Sequence, residues 1–171
     1  TPERAMETVF SGNPWTTSFT EDSFGNIWIG TYRNGTFCFH KNQTPFQKSM
    51  SGKNIECMST DHSGNYWIGS LNGEVCVLDS TQKQIMGKTI FPNDMIHTIC
   101  GQESSNKVWV GTMYGLYEAW IESNKQIVYQ KTSGINIPSI RSIVQDSCFL
   151  WIASYNNGVT LYNYSTQQSV V

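Results

Sequence analysis

Apolar and aromatic positions along this chain alternate with polar ones in short runs, and the runs recur at a nearly fixed spacing. One run is Gly64-Asn65-Tyr66-Trp67-Ile68-Gly69-Ser70. Its counterparts are Gly25-Asn26-Ile27-Trp28-Ile29-Gly30-Thr31, Asn106-Lys107-Val108-Trp109-Val110-Gly111-Thr112 and Phe149-Leu150-Trp151-Ile152-Ala153-Ser154. The tryptophans at 28, 67, 109 and 151 are therefore 39, 42 and 42 residues apart. Upstream of each stands a pair of apolar or Thr positions three apart: Thr16/Phe19, Ile55/Met58, Ile96/Ile99 and Ile140/Ile143. Three residues further on come Asp22, Asp61, Gln102 and Asp146. Downstream, turns at Gly35, Gly73, Gly115 and Gly158 lead into Thr36–Phe39, Val75–Leu78, Leu116–Trp120 and Val159–Tyr162. Such runs, bounded by Gly, Asn and Asp, predict strands. No segment sustains the i, i+3, i+4, i+7 pattern of a helix with caps.

Four short strands in about 40 residues make one blade of a β-propeller. The expected fold is all-β, a propeller segment of four blades of four antiparallel strands. The blades fall at about 15–50, 55–92, 95–132 and 140–171. Their outer strands are expected at Pro45–Ser49, Ile85–Phe91, Ile127–Lys131 and Gln168–Val171. Residues 1–14 lie outside the repeat, and Met6–Phe10 reads as a remnant strand of a preceding blade. One blade cannot cover both of its faces, so a large flat residue recurs to pack on the neighbour. Trp28, Trp67, Trp109 and Trp151 fill that role. Burying one tryptophan contributes at most about 4–6 kcal/mol. Gly30, Gly69 and Gly111 are expected to admit close backbone approach near the central axis, and Asp22, Asp61 and Asp146 to fix a turn through backbone amides.

Composition narrows the function. Net charge is −2 and charged residues are 14%, which gives no electrostatic case for nucleic acid or an anionic membrane. No apolar run is long enough to span a bilayer, so no membrane contact is expected from this segment. The five cysteines show no CxxC spacing. Cys38 and Cys76 hold equivalent places in neighbouring repeats. They read as small buried residues, with a disulfide between them left open.

Chemistry is sparse. His40, His62 and His97 occupy unlike repeat positions, so no metal site is expected. No nucleophile elbow, zinc helix or phosphate loop is present, and no cofactor or catalytic residue is expected. Asn34, Asn42 and Asn163 match the N-glycosylation pattern, which an Asn/Ser/Thr-rich chain produces by chance. Binding remains. The position after Gly-Thr/Ser carries Tyr32, Leu71, Met113 and Tyr155, with Arg33, Asn34, Tyr114, Asn156 and Asn157 adjoining. Flat aromatics beside amide and guanidinium donors suit a sugar. Ligand-binding candidates are therefore Tyr32, Arg33, Asn34, Tyr114, Tyr155 and Asn156. The alternative for these positions is an ordinary turn in which Tyr packs on its neighbour.

The string Asp-x-x-Gly-Asn-x-Trp-Ile-Gly-Thr/Ser, at Asp22–Thr31 with Gly35 and at Asp61–Ser70 with Gly73, resembles the two-component regulator propeller repeat. Blades three and four match it less completely. The resemblance implies the sensor region of a hybrid two-component histidine kinase of the Bacteroides type. Such a region is periplasmic, on a parent anchored in the inner membrane, and many relatives sense oligosaccharides. The segment itself would be non-catalytic, with kinase activity belonging to the parent. Family propellers have seven blades, so four imply a fragment, and its open faces imply self-association. Closure as a four-bladed disc is the structural alternative. An interaction scaffold without a small ligand is the functional one.

Overall fold

The structure, a computed structural model, describes residues 15–39, 47–49, 52–79, 81 and 84–170. The candidate strand at 6–10, His40 and Asn42 lie outside them. Blade one contains β1 (Thr16–Glu21), β2 (Ile27–Thr31), β3 (Gly35–Phe39) and β4 (Gln47–Ser49). Blade two contains β5 (Ile55–Thr60), β6 (Tyr66–Ser70), β7 (Glu74–Leu78) and β8 (Gln84–Thr89). Blade three contains β9 (Ile96–Gly101), β10 (Lys107–Thr112), β11 (Leu116–Ile121) and β12 (Ile127–Lys131). Blade four contains β13 (Ile140–Asp146), β14 (Phe149–Ser154), β15 (Gly158–Asn163) and β16 (Gln168–Val170). Each blade is one antiparallel sheet in chain order. The fold is a β-propeller segment, and no helix occurs among the described residues. The outer strand of blade two ends at Thr89, earlier than expected. Ile90 and Phe91 turn inward instead, and both donate their amides to the Gly73 carbonyl at 3.1 Å.

The first strand of each blade packs on the first strand of the next, which makes β1, β5, β9 and β13 the inner strands. The core is correspondingly three seams rather than one centre. Trp28, Ile55, Tyr66, Ile68 and Leu78 fill the first. Trp67, Val75, Ile96, Ile99, Val108 and Val110 fill the second. Trp109, Leu116, Ile140, Ile143, Leu150 and Tyr162 fill the third. The repeated glycine explains how tightly the seams close. A Cβ on Gly69 would lie 2.7 Å from Ile96 Cγ2, and one on Gly111 would lie 2.5 Å from Ile140 Cγ2. What approaches is thus the first isoleucine of the following blade, a side chain rather than the backbone.

The repeated aspartate does more than bond turn amides. Asp61 Oδ1 accepts from Asn65 N (3.0 Å), and Oδ2 from Asn65 Nδ2 (2.9 Å) and from the Trp67 indole N–H (2.9 Å). Asp22 bonds Phe24 N, Asn26 and the Trp28 indole in the same way, and also accepts from Tyr66 Oη of the next blade at 2.5 Å. Burial alone would raise the Asp22 pKa. The bonds from Tyr66, Asn26 and Trp28 outweigh it and hold the carboxyl at about 2.

Blade four departs from this pattern. Asp146 is exposed and pairs across a two-residue turn with Phe149. Its carboxylate meets Ser147 Oγ at 3.5 Å rather than an indole. Trp151 is 47% exposed, whereas Trp67 is fully buried. Trp151 therefore does not pack on a neighbouring blade as Trp28, Trp67 and Trp109 do. Val144 and Val159 share its exposed face. At the other end Phe19 is 80% exposed, although its equivalents Ile99 and Ile143 are buried. Closure into a four-bladed disc would cover both faces, so the arc is open. All five cysteines are free, with Cys38, Cys57 and Cys76 buried, and Cys38 and Cys76 share the first seam without a disulfide.

Candidate functional site at the axial end of the arc

One end of the arc carries the loops joining the second and third strands of each blade. These loops are tied down through the backbone. Tyr32 N donates to Trp15 O (2.8 Å), Met113 N to Met95 O (3.1 Å) and Tyr155 N to Ser139 O (2.9 Å). Ser139 N in turn donates to Met113 O (2.8 Å), which joins the loops of blades three and four. Arg33 and Asn156 occupy the same place in their loops, and both hold positive φ, 72° and 71°. That region is uncommon for residues other than glycine.

Each sequence-predicted binding residue is found on these loops. The half-buried Tyr32 stacks on Trp15 at 6.0 Å, and the Arg33 guanidinium lies 5.1 Å from the Tyr32 ring centroid. Asn34 is half-buried in the same turn. Tyr114 is exposed, with its amide donating to Thr112 Oγ1 at 3.1 Å. Tyr155 and Asn156 are exposed. The predicted ring is thus spread along the arc, and the structure does not gather its members into one pocket.

A different set converges. Every inner strand carries a register shift one residue from its start. Pairing passes from Ile55↔Ser70 to Cys57↔Gly69, from Ile96↔Thr112 to Thr98↔Gly111, and from Ile140↔Ser154 to Ser142↔Ala153. Blade one does the same between Thr16 and Ser18. The skipped residues are Thr17, Glu56, His97 and Arg141. A bulge suspends ladder pairing and re-aims one side chain. Four stacked bulges therefore place four such side chains at one level of the inner strands, beside the loops. Thr17 Oγ1 donates to Ile55 O at 2.6 Å and links blades one and two. Arg141 Nη1 donates to His97 Nδ1 at 3.1 Å across blades three and four. The same guanidinium lies 5.5 Å from the Tyr155 centroid, which brings one sequence-predicted residue into the cluster. Burial raises the Glu56 pKa, and the charge of Arg141 opposes that rise. Burial lowers the His97 pKa, the charge of Arg141 lowers it further, and Asp94 opposes both.

Sequence reading missed Glu56, His97 and Arg141. Each directly follows the first member of its apolar pair, a position whose bulge shows only in the pairing of two strands. His97 does stand at a repeat position, shared with Glu56 and Arg141 rather than with the other histidines. His62 and His97 do occupy unlike repeat positions, the first turn of blade two and the first strand of blade three.

Two clefts lie elsewhere. One of 270 Å³, between blades one and two at the opposite end, is lined by Asp22, Phe24, Asp61, His62 and Tyr66 among others. One of 160 Å³ lies between blades three and four, against Trp109, Glu118, Lys131 and Tyr164. Among the described residues no group of three or more His, Cys, Asp or Glu could hold a metal ion, and no helix is long and apolar enough to cross a membrane.

An open arc of Trp-seamed, four-stranded blades with a polar inner rim defines this chain as part of a propeller. Residues 10–33 match the family described as two component regulator propeller. No curated protein matches the chain. Among solved structures it is similar to the extracellular domain of BT3049 from B. thetaiotaomicron, described as a hybrid two component system. The TM-score is 0.71 at 24% identity, over 97% of this chain and 23% of that one. It is also similar to the extracellular domain of BT4673 from the same organism, described as a one component system. There the TM-score is 0.68 at 23% identity, over 91% of this chain and 21% of that one. The β-propeller domain of Cps50 (Swd1) from Myceliophteria thermophila superposes with a TM-score of 0.65 at 10% identity, over 85% of this chain and 55% of that one. At these identities the likeness is one of fold. The chain spans less than a quarter of the length of the two Bacteroides chains.

Proposed function

We propose that this chain is part of the extracellular or periplasmic sensing propeller of a two-component-type sensor, that it takes an oligosaccharide at its loop-bearing axial end, and that it is non-catalytic. Kinase activity and the membrane anchor belong to the parent protein in this reading. The observation that carries it is the meeting, at one end of the arc, of the inner-strand bulges with the loops that hold Tyr32, Tyr114 and Tyr155. A rigid scaffold presenting aromatic faces and hydrogen-bonding side chains at one rim suits a sugar, which has both apolar faces and a fringe of hydroxyls. The match at residues 10–33 and the likeness to two extracellular sensor domains support the signalling context.

Thermal unfolding of the chain with a panel of neutral and acidic oligosaccharides tests this reading. A true ligand at a hundredfold excess over its dissociation constant adds about 2.7 kcal/mol. Tyr155→Ala removes an exposed face without opening the core, so it should abolish that stabilisation and leave the unliganded melting point unchanged. A panel without any stabilising member would overturn the reading in favour of an interaction scaffold.

A further inference from the structure

Of the four bulge residues one is a cation, Arg141. Among the described residues the ion pairs are Lys53–Glu74 and Lys107–Glu118, and Arg141 belongs to neither. Its side chain is nonetheless held. Nη1 is fixed on His97 Nδ1, and the guanidinium lies over the Tyr155 ring. A guanidinium only donates, so His97 Nδ1 must accept, and the imidazole proton then sits on Nε2. His97 is therefore a neutral group with one remaining donor. Burial and the neighbouring charge of Arg141 both favour that neutral form, against the pull of Asp94.

The backbone around Arg141 is prepared as well. Ser139, two residues earlier, holds φ 53° while its amide and carbonyl bond the loops of blades three and four. Arg141 itself stands in a bulge, freed from the ladder. Its side chain is exposed. A charge always present, oriented by two neutral partners and open to solvent, is what recognition of an oxyanion requires.

The geometry points to an oxyanion site at this end of the arc: Arg141 takes the carboxylate or sulfate of an acidic saccharide, His97 Nε2–H is the second donor, and the Tyr155 ring is the wall against which the sugar lies. This rests on the sensing reading above and adds the charge class of the ligand. Glu56, at the equivalent bulge of the inner strand of blade two, feels the charge of Arg141. Its carboxyl oxygens are acceptors for ligand hydroxyls.

The test is an NMR titration of the chain with glucuronate, inorganic sulfate and glucose, following the ring protons of His97 as assigned by the His97→Gln variant. His62, in the first turn of blade two at the opposite end, is the internal control. Glucuronate or sulfate should move His97 saturably while His62 stays still, and the more effective of the two identifies the anionic group. Arg141→Gln, an exposed substitution, should weaken that response at least tenfold with the melting point unchanged. If glucose moves His97 as strongly as glucuronate does, the anion inference falls and the saccharide reading stands. If neither anion moves His97, or Arg141→Gln leaves the response intact, the oxyanion site is overturned whatever neutral oligosaccharides do in the melting experiment.

Discussion

At the residue scale, the repeat works through a pair rather than through single residues. Asp61 holds the turn and at the same time fixes the indole of Trp67, so the aspartate orients the side chain that fills the seam. Asp22 and Trp28 do the same in blade one, and Tyr66 locks that carboxylate to blade two. The sequence showed Asp and Trp at constant spacing. It did not show that they touch, because a hydrogen bond six residues apart depends on the path of the turn between them. Blade three illustrates the limit: with Gln102 in the aspartate position, the Trp109 indole donates instead to Gln145 of the next blade at 3.3 Å. The depressed Asp22 pKa makes a prediction. Its ordinary value is 3.8 and its folded value about 2, so its contribution to stability is complete above 3.8 and lost as the pH falls through about 2. Urea midpoints measured across that window should fall for the native chain. Asp22→Asn should be less stable at neutral pH and lose less across the window. An equal loss in both proteins would show that Asp22 is not the group responsible.

At the scale of elements, strand number, order and approximate limits were legible because alternation and Gly turns mark a strand locally. The functional part was not legible in the same way. A bulge is a relation between two strands, and nothing local in Ile55-Glu56-Cys57 announces that Glu56 has no ladder partner. The same residue type at each position would have revealed it, but Thr17, Glu56, His97 and Arg141 are four different residues. Seam geometry permits a sharper prediction. A methyl on Gly69 meets Ile96 Cγ2 at 2.7 Å and Cys57 Sγ at 2.8 Å, both in a filled seam. Gly69→Ala should therefore destabilise the chain by about 1–3 kcal/mol in urea unfolding. Ala153 stands at the equivalent place in blade four, on the sheet whose Trp151 face is exposed. A Gly69→Ala chain as stable as the native one would mean that the seam is looser than described.

At the scale of the molecule, the repeat predicted blades, and the exposed ends show what a blade needs. Trp151, Val144 and Val159 at one end, and Phe19 at the other, are the surfaces that three internal seams cover elsewhere. Whether four blades close or stay open could not be read from the period alone, since it depends on the angle between successive blades. We propose that the outer face of blade four receives a blade of the same repeat type, supplied by the rest of the parent protein or, for this chain alone, by the blade-one face of a second copy. Repeating an existing seam is the least demanding way to bury both faces, and exposed apolar patches of this kind favour association. The direct measurement is sedimentation of the 19.3 kDa chain over a range of concentration. The account predicts a mass that rises above one chain, and a return to one chain when Val144→Lys and Val159→Lys place charge on the blade-four face. A mass of one chain at every concentration would contradict it, and the exposed tryptophan face would then not be a seam awaiting a blade.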